Sequence, residues 1–233
     1  MSQTQPIEVF YFPTPNGKKI TIMLEELGVP YHVNPVHIGR GDQFKPEYLE
    51  ISPNNKIPAI LDPEGPDGKP VSIFESGAIL QYLAGKFGRF HGRDHRARIK
   101  VDQWLFWQVA GFGPLLGQNY FFAKDAPEKI PYAIERYRKE TRRLYGVLNR
   151  QLDGRDHIAD EFSIADIAVI DWSLYWDDLG VDPAEFPNVA AWQKRMQARP
   201  GVARGLAVKL PDGDAPDIEN EEARRILYGQ SSR

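Results

Sequence analysis

Two strand-like runs with one helical stripe between them fit into residues 8–36, and this spacing constrains how the chain begins to fold. Glu8–Phe12 (EVFYF) is aromatic and β-branched and is closed by Pro13. Thr14-Pro15-Asn16-Gly17 forms a tight connection in which Asn16 is placed to cap a following helix. Ile20, Met23, Leu24 and Leu27 then recur at i, i+3, i+4 and i+7, which is one apolar helix face. Gly28 stops that helix and Pro30 prevents its continuation. Tyr31–Val36 reads as a second strand, and Pro35, which cannot donate to a ladder, assigns it to a sheet edge. A strand, a helix and a strand within about 30 residues make a βαβ unit, hence a parallel pair with a right-handed crossover.

Phe44–Ile51 predicts a short helix. Ile57–Leu61 and Val71–Phe74 are short apolar strands joined by Pro63-Glu-Gly-Pro-Asp-Gly68, so they are expected to pair as an antiparallel hairpin. Ser76 then caps a helix with Ile79, Leu80, Leu83 and Phe87 turned inward. The order βαβ-α-ββα is that of an α/β thioredoxin-like domain, expected over residues 1–87. Gly88–Asp94 is polar and rich in Gly and Arg, as a linker would be. From His95 onward strand signals stop, so residues 95–233 are expected to form an all-helical domain with an extended tail. Its helices fall near Arg96–Gln108, Pro131–Leu152, Ile164–Trp176 and Asn188–Ala198. Gly111–Gly117 interrupts or ends the first of them, and Leu210–Asn220, rich in Asp and Pro, is expected to be extended or mobile.

Composition narrows the chemistry. The chain of 233 residues has no cysteine, which excludes disulfide staples, cysteine-ligated zinc and a cysteine nucleophile of its own. Any thiol chemistry must use the sulfur of a bound small molecule. A formal charge of −3, from 29 basic and 32 acidic residues, does not suit a nucleic-acid binder. No apolar run approaches the roughly 20 residues of a membrane span. Met1–Pro6 is short and polar and does not read as a secretory signal, so a cytoplasmic location is expected. His91 and His95 lie at i, i+4 without a third ligand, so no metal is expected. Trp104, Phe106 and Trp107 lack interleaved basic residues and read as core or interface packing.

Three short motifs carry the functional signal. Ser163-Ile-Ala-Asp166 is a capping box, with Phe162 and Ile167 placed as a hydrophobic staple. Asn55-Lys-Ile-Pro-Ala-Ile60 puts Pro58 at a strand start, a candidate cis position. A cis turn there would present the Ile57 N–H and C=O to a peptide backbone. Phe74-Glu-Ser-Gly-Ala-Ile79 puts Glu75 and Ser76 at a helix N-terminus, where free amides, the dipole and a hydroxyl favour a carboxylate. Glu75 would meet an ammonium. A site that holds both ends of an amino acid and pairs with one extended backbone suits a γ-glutamyl peptide.

These motifs, in this order, resemble the glutathione transferase superfamily over roughly Ile7–Val208. Thr14–Gly17, Gly41-Asp-Gln-Phe44, Ser52–Pro58, Trp104-Leu-Phe-Trp-Gln108, Gly117-Gln-Asn119 and Ile130–Tyr137 are similar to the bacterial Nu class, itself similar to the globular domain of the fungal prion-forming nitrogen regulator. The resemblance implies glutathione as co-substrate, one disulfide or two thiols per site, and reduction of a disulfide substrate by thiol–disulfide exchange. It places Thr14 and Asn16 at the sulfur and Ile57 on the cysteinyl backbone. Gln43 and Lys56 would lie at the glycine end, and Glu75 and Ser76 at the γ-glutamyl end. Arg136 would approach from the partner subunit of a homodimer. That class lacks the tyrosine, serine or cysteine other classes place at the sulfur, and Pro13-Thr-Pro-Asn16 agrees. Conjugation of electrophiles, hydroperoxide reduction and a non-enzymatic interaction module are the alternatives that the same fold leaves open.

Overall fold

A computed structural model describes residues 4–213 and 220–229. The chain divides into two compact units, Met1–Phe87 with Arg204–Arg233, and Gly88–Ala203.

In the first unit β1 (Ile7–Tyr11) alternates, with Ile7, Val9 and Tyr11 fully buried. It leads into α1 (Pro15–Leu27) and β2 (Tyr31–Pro35). One turn of helix, α2 (Pro46–Leu49), follows two 3₁₀ turns, Ile38–Arg40 and Asp42–Phe44. Then come β3 (Ala59–Asp62), β4 (Val71–Phe74) and α3 (Ser76–Phe87). The sheet order is β2-β1-β3-β4, with β1 and β2 parallel and the other two pairs antiparallel. The expected thioredoxin-like order is therefore present, and the Pro35 strand lies at an edge.

Two local expectations change. The cap of α1 is Thr14, whose side chain accepts from Gly17 N–H, and Asn16 lies inside the first turn. Pro15 decides this, because a proline with fixed φ and no N–H fits the first helical position and moves the cap one residue earlier. The helical stripe also understates burial. Ile20, Met23 and Leu24 are buried as expected, yet Thr21 and Ile22 on the other side are equally so. They are covered by residues after Arg204: Thr21 Oγ1 donates to the Gly205 carbonyl at 2.8 Å. A Cβ on Gly205 would stand 2.4 Å from Ile22 Cα, so only glycine permits this approach.

The second unit begins with α4 (His95–Trp107) and a π-helical turn over Gln108–Phe112. It continues through α5 (Gly113–Tyr120), a second π turn at Phe121–Asp125 and α6 (Pro131–Gln151). The glycine-rich stretch does not end the helix. Gly113 N–H bonds back to Gln108 C=O, and the wider turn admits Pro114 without a break. α7 (Ile164–Ser173), α8 (Trp176–Leu179), α9 (Pro187–Gln197) and α10 (Pro200–Ala207) follow, the last crossing the boundary between units. The capping box is formed: the Ser163 and Asp166 side chains bond to the opening turn and to Ser163 N–H.

Both outer boundaries expected for the helical domain shift. Gly88–Asp94 is packed and is not a free linker: Phe90 C=O accepts from Ile164 N–H, its ring meets Phe162, and His91 bonds Asp102 at 2.7 Å. The described residues from Arg204 on group with the first unit. Tyr11 OH donates to Val208 C=O, His37 Nε2 lies 2.8 Å from Asp212 Oδ2, and α11 (Glu221–Tyr228) packs on the Ile38–Arg40 turn. Within the stretch expected to be extended, Leu210 and Gly213 close a turn, and residues 214–219 lie outside the described residues.

Candidate functional site

Sheet register gathers the sequence motifs of the first unit at one end. Phe10, near the end of β1, pairs with Ala59 at the start of β3, and Ala59 pairs with Phe74 at the end of β4. The segments that leave this end of the sheet carry Thr14 and Asn16 after β1, Ile57 before β3, and Glu75 and Ser76 after β4. Gln43 and Lys56 belong to the connecting segments of the same unit. Arg136 stands on α6 in the second unit, exposed, beside a surface pocket of about 540 Å³ lined also by Leu115, Tyr132, Tyr137 and Arg143.

At the start of α1, Thr14 N–H donates to Phe12 C=O at 2.7 Å and Thr14 Oγ1 accepts from Gly17 N–H at 3.2 Å. Gly17 is required by contact, since a Cβ there would lie 2.2 Å from Phe12 O. Thr14 and Asn16 are both half-buried.

The Ile57–Pro58 bond is cis, at the position singled out from the sequence. The Ile57 side chain packs on the cluster of Val36, Tyr48 and Ala59. Its own N–H and C=O lie outside the strand ladder and have no partner among the described residues. The preceding residue is held firmly: Lys56 C=O accepts from Tyr48 OH at 2.7 Å and from Ser52 Oγ at 2.9 Å. Burial pushes the Tyr48 phenol up to about 12, so it remains a donor at neutral pH. Partial burial lowers the Lys56 ammonium below its ordinary value.

Glu75 carries φ +71°, the left-handed region that costs a non-glycine residue about 1 kcal/mol or more. Its exposed carboxylate lies 3.4 Å from Asn54 Nδ2. The first helical bond of α3 runs from Ile79 N–H to Glu75 C=O, so the amides of Ser76, Gly77 and Ala78 precede the intrahelical ladder. Ser76 is buried, and its Oγ accepts from Lys19 Nζ at 3.2 Å. Gln43 is also buried, with Nε2 donating to Ile38 C=O at 3.0 Å and Oε1 without a partner in the protein. Among the described residues no group of three or more His, Asp or Glu side chains is placed to hold a metal, and no helix is long and apolar enough to cross a membrane.

The first unit thus offers one residue with an unpaired backbone, a donor-rich helix tip and a hydroxyl at a second helix start. The family model of the glutathione S-transferase N-terminal domain matches residues 14–86, and that of the C-terminal domain matches residues 114–200.

The chain belongs to the glutathione S-transferase family.

Among its relatives in that family is the disulfide-bond oxidoreductase YfcG of Escherichia coli. It is 51% identical over 210 residues, which is 89% of this chain and 97% of the relative. The transcriptional regulator URE2 of Saccharomyces cerevisiae is 32% identical, over 88% of this chain and 69% of its own length. A glutathione transferase from Pseudomonas putida, solved with one glutathione disulfide per subunit, superposes with a TM-score of 0.83 at 42% identity. The match covers 87% of this chain and 91% of that one. A transferase from Burkholderia graminis with two glutathione molecules per subunit gives 0.82 at 44%, over 86% and 87%.

Lys19, Tyr48, Ser52 and Asn54, which bond to the candidate residues, carry no local signal of that role. Ser52 and Asn54 lie within the Ser52–Pro58 motif. Lys19 reads only as the second of two lysines beside an apolar stripe, and nothing local marks it as buried.

Proposed function

We propose that this chain is a glutathione-dependent disulfide-bond reductase. The observation that carries the reading is the unpaired Ile57 backbone sharing one sheet end with the Ser76 helix tip. An extended backbone can pair with the first while its terminal carboxylate accepts from the second. Glutathione fits these two features, and when bound it supplies the sulfur that this cysteine-free chain lacks.

The chain's own residues bind, orient and ionise. Ile57 N–H and C=O hold the cysteinyl backbone. The Ser76 hydroxyl and the amides of Ser76–Ala78 hold the γ-glutamyl carboxylate, and Glu75 meets the ammonium. Gln43 and Lys56 serve the glycine end. Thr14 Oγ1 already accepts from Gly17 N–H, so its proton is left to donate to sulfur, and Asn16 adds an amide donor. A hydroxyl, an amide and the α1 N-terminus all favour thiolate over thiol. Arg136 reaches the site of a partner subunit in a homodimer. Reduction of disulfides, rather than conjugation, is supported by the name of the 51%-identical relative and by neighbours that hold a disulfide or two glutathiones in one subunit. A thiol-rich cytoplasm is the setting this reading calls for.

The test is turnover of a model disulfide and of a model aryl halide at saturating glutathione, for the parent and for Thr14→Ala/Asn16→Ala. Faster disulfide reduction by the parent, reduced by about tenfold or more in the double variant, is expected. Undiminished reduction in that variant overturns the sulfur site, and a preference for the halide makes the chain a conjugating transferase.

A further inference from the structure

Lys19 is buried to 1% exposure on α1, and its ammonium donates to Ser76 Oγ at 3.2 Å. Its neighbour Lys18 is half-exposed, as an ordinary helix lysine would be. Removing an ammonium from water costs several kcal/mol unless partners compensate, and a methionine would fill similar space without that cost. The position of this charge is specific: it lies directly beneath the hydroxyl that opens α3.

Two consequences follow from that contact. An ammonium only donates, so the Ser76 oxygen must act as acceptor toward Lys19. The single hydroxyl proton is then available to an acceptor on the other side, and Ser76 becomes a donor there. Second, the ammonium stands 3.2 Å from the hydroxyl at the start of α3 and adds to the partial positive charge of that helix end. Both effects act most strongly on an anion, and neither acts on a hydrogen at the same place.

We propose that Lys19 is a positioning residue that makes the γ-glutamyl subsite selective for the α-carboxylate, by orienting the Ser76 hydroxyl and charging the subsite from behind. This rests on the glutathione reading above. Lys19 itself does not touch the ligand.

The experiment compares glutathione with an analogue in which 4-aminobutyryl replaces γ-glutamyl, so that only the α-carboxylate is lost. Calorimetric affinities are measured for the full chain and for Lys19→Met, Lys19→Gln and Lys19→Arg, with thermal midpoints to confirm folding. The parent is expected to prefer glutathione by about tenfold or more, the size of one charge-assisted contact. Lys19→Met and Lys19→Gln should lose that preference, binding glutathione more weakly and the analogue unchanged. Lys19→Arg should retain part of it. KM for glutathione should rise while kcat holds, because the sulfur end is untouched. Equal weakening of both ligands, or an intact preference, overturns the proposal. On the parent chain the Lys19 ammonium NMR resonance should move with glutathione and not with the analogue, and movement with both or with neither also overturns it. If the parent binds neither ligand, it is the glutathione reading that fails.

Discussion

Thr14 Oγ1 accepts the Gly17 N–H at 3.2 Å, and this one bond makes a helix cap into a directed donor. With its oxygen engaged by the chain, the hydroxyl can offer its proton only away from α1. Thr14→Ser keeps the cap and the donor, whereas Thr14→Val keeps the shape and removes both. Disulfide reduction by the parent is expected to reach half its plateau at a pH below 8.5, roughly the value for a free thiol. Thr14→Ser should leave the inflection in place and Thr14→Val should move it up by about one pH unit, the worth of about 1.4 kcal/mol of lost anion stabilisation. The pH–rate profile at saturating glutathione checks it. An unmoved inflection in Thr14→Val removes Thr14 from the sulfur.

Asp166 should be the most costly polar residue of the second unit. Its carboxylate accepts from Ile158 N–H at 3.0 Å, from Ser163 N–H at 3.1 Å and from the Trp192 indole at 2.9 Å. Burial raises its carboxyl above the ordinary value, and these donors oppose that shift. Asp166→Ala leaves three buried N–H groups without an acceptor, at about 1 kcal/mol or more each, and removes the capping box as well. A loss of about 3 kcal/mol or more is expected in denaturant unfolding followed by far-UV circular dichroism. Asp166→Asn keeps an acceptor oxygen and should lose less.

The 3₁₀ turn that carries Gln43 should loosen in acid. Burial acts to raise the Asp42 carboxyl but is outweighed by Lys45 Nζ at 2.7 Å and by His37 N–H at 2.9 Å, so it lies below the usual carboxylate range. A group depressed in the folded state contributes stability above its unfolded pKa, about 3.9, and loses it as pH falls through the folded value. Protection of the His37 amide from hydrogen exchange should therefore be constant near neutrality and decline below about pH 4. Asp42→Asn should flatten that dependence. The effect is expected to be small, because the exposed Lys45 leaves its contact with Asp42 screened by water and salt.

Gly205 tests how tightly the C-terminal segment closes on α1. A Cβ at that position would meet Ile22 Cα at 2.4 Å and Ile22 N at 2.5 Å, and backbone cannot step aside as a side-chain end can. Gly205→Val should destabilise the first unit by about 3 kcal/mol, in the upper part of the range for overpacking. Thermal unfolding of the full chain reads this, with the neighbouring Leu206→Ala as the control: that side chain is only half-buried, so a small loss is expected there.

What can be read along the chain alone is local and chemical. The alternation of strand and helix periods dictated the βαβ-α-ββα order, Pro35 dictated the edge strand, Ser163 and Asp166 dictated a helix start, and the lack of cysteine dictated that any reactive sulfur be borrowed. Which side chains meet is set by packing between distant segments. Period reports one apolar face, so it could not foresee that Thr21 would bond Gly205, 184 positions away, or that the tail would join the first unit. It could not mark Lys19 as buried, because a lysine beside an apolar stripe is ordinarily solvated, and here α3 packs on α1 and brings Ser76 to its ammonium. Periodicity is a property of neighbours along the chain, whereas burial and charge placement depend on segments that folding brings together from far apart.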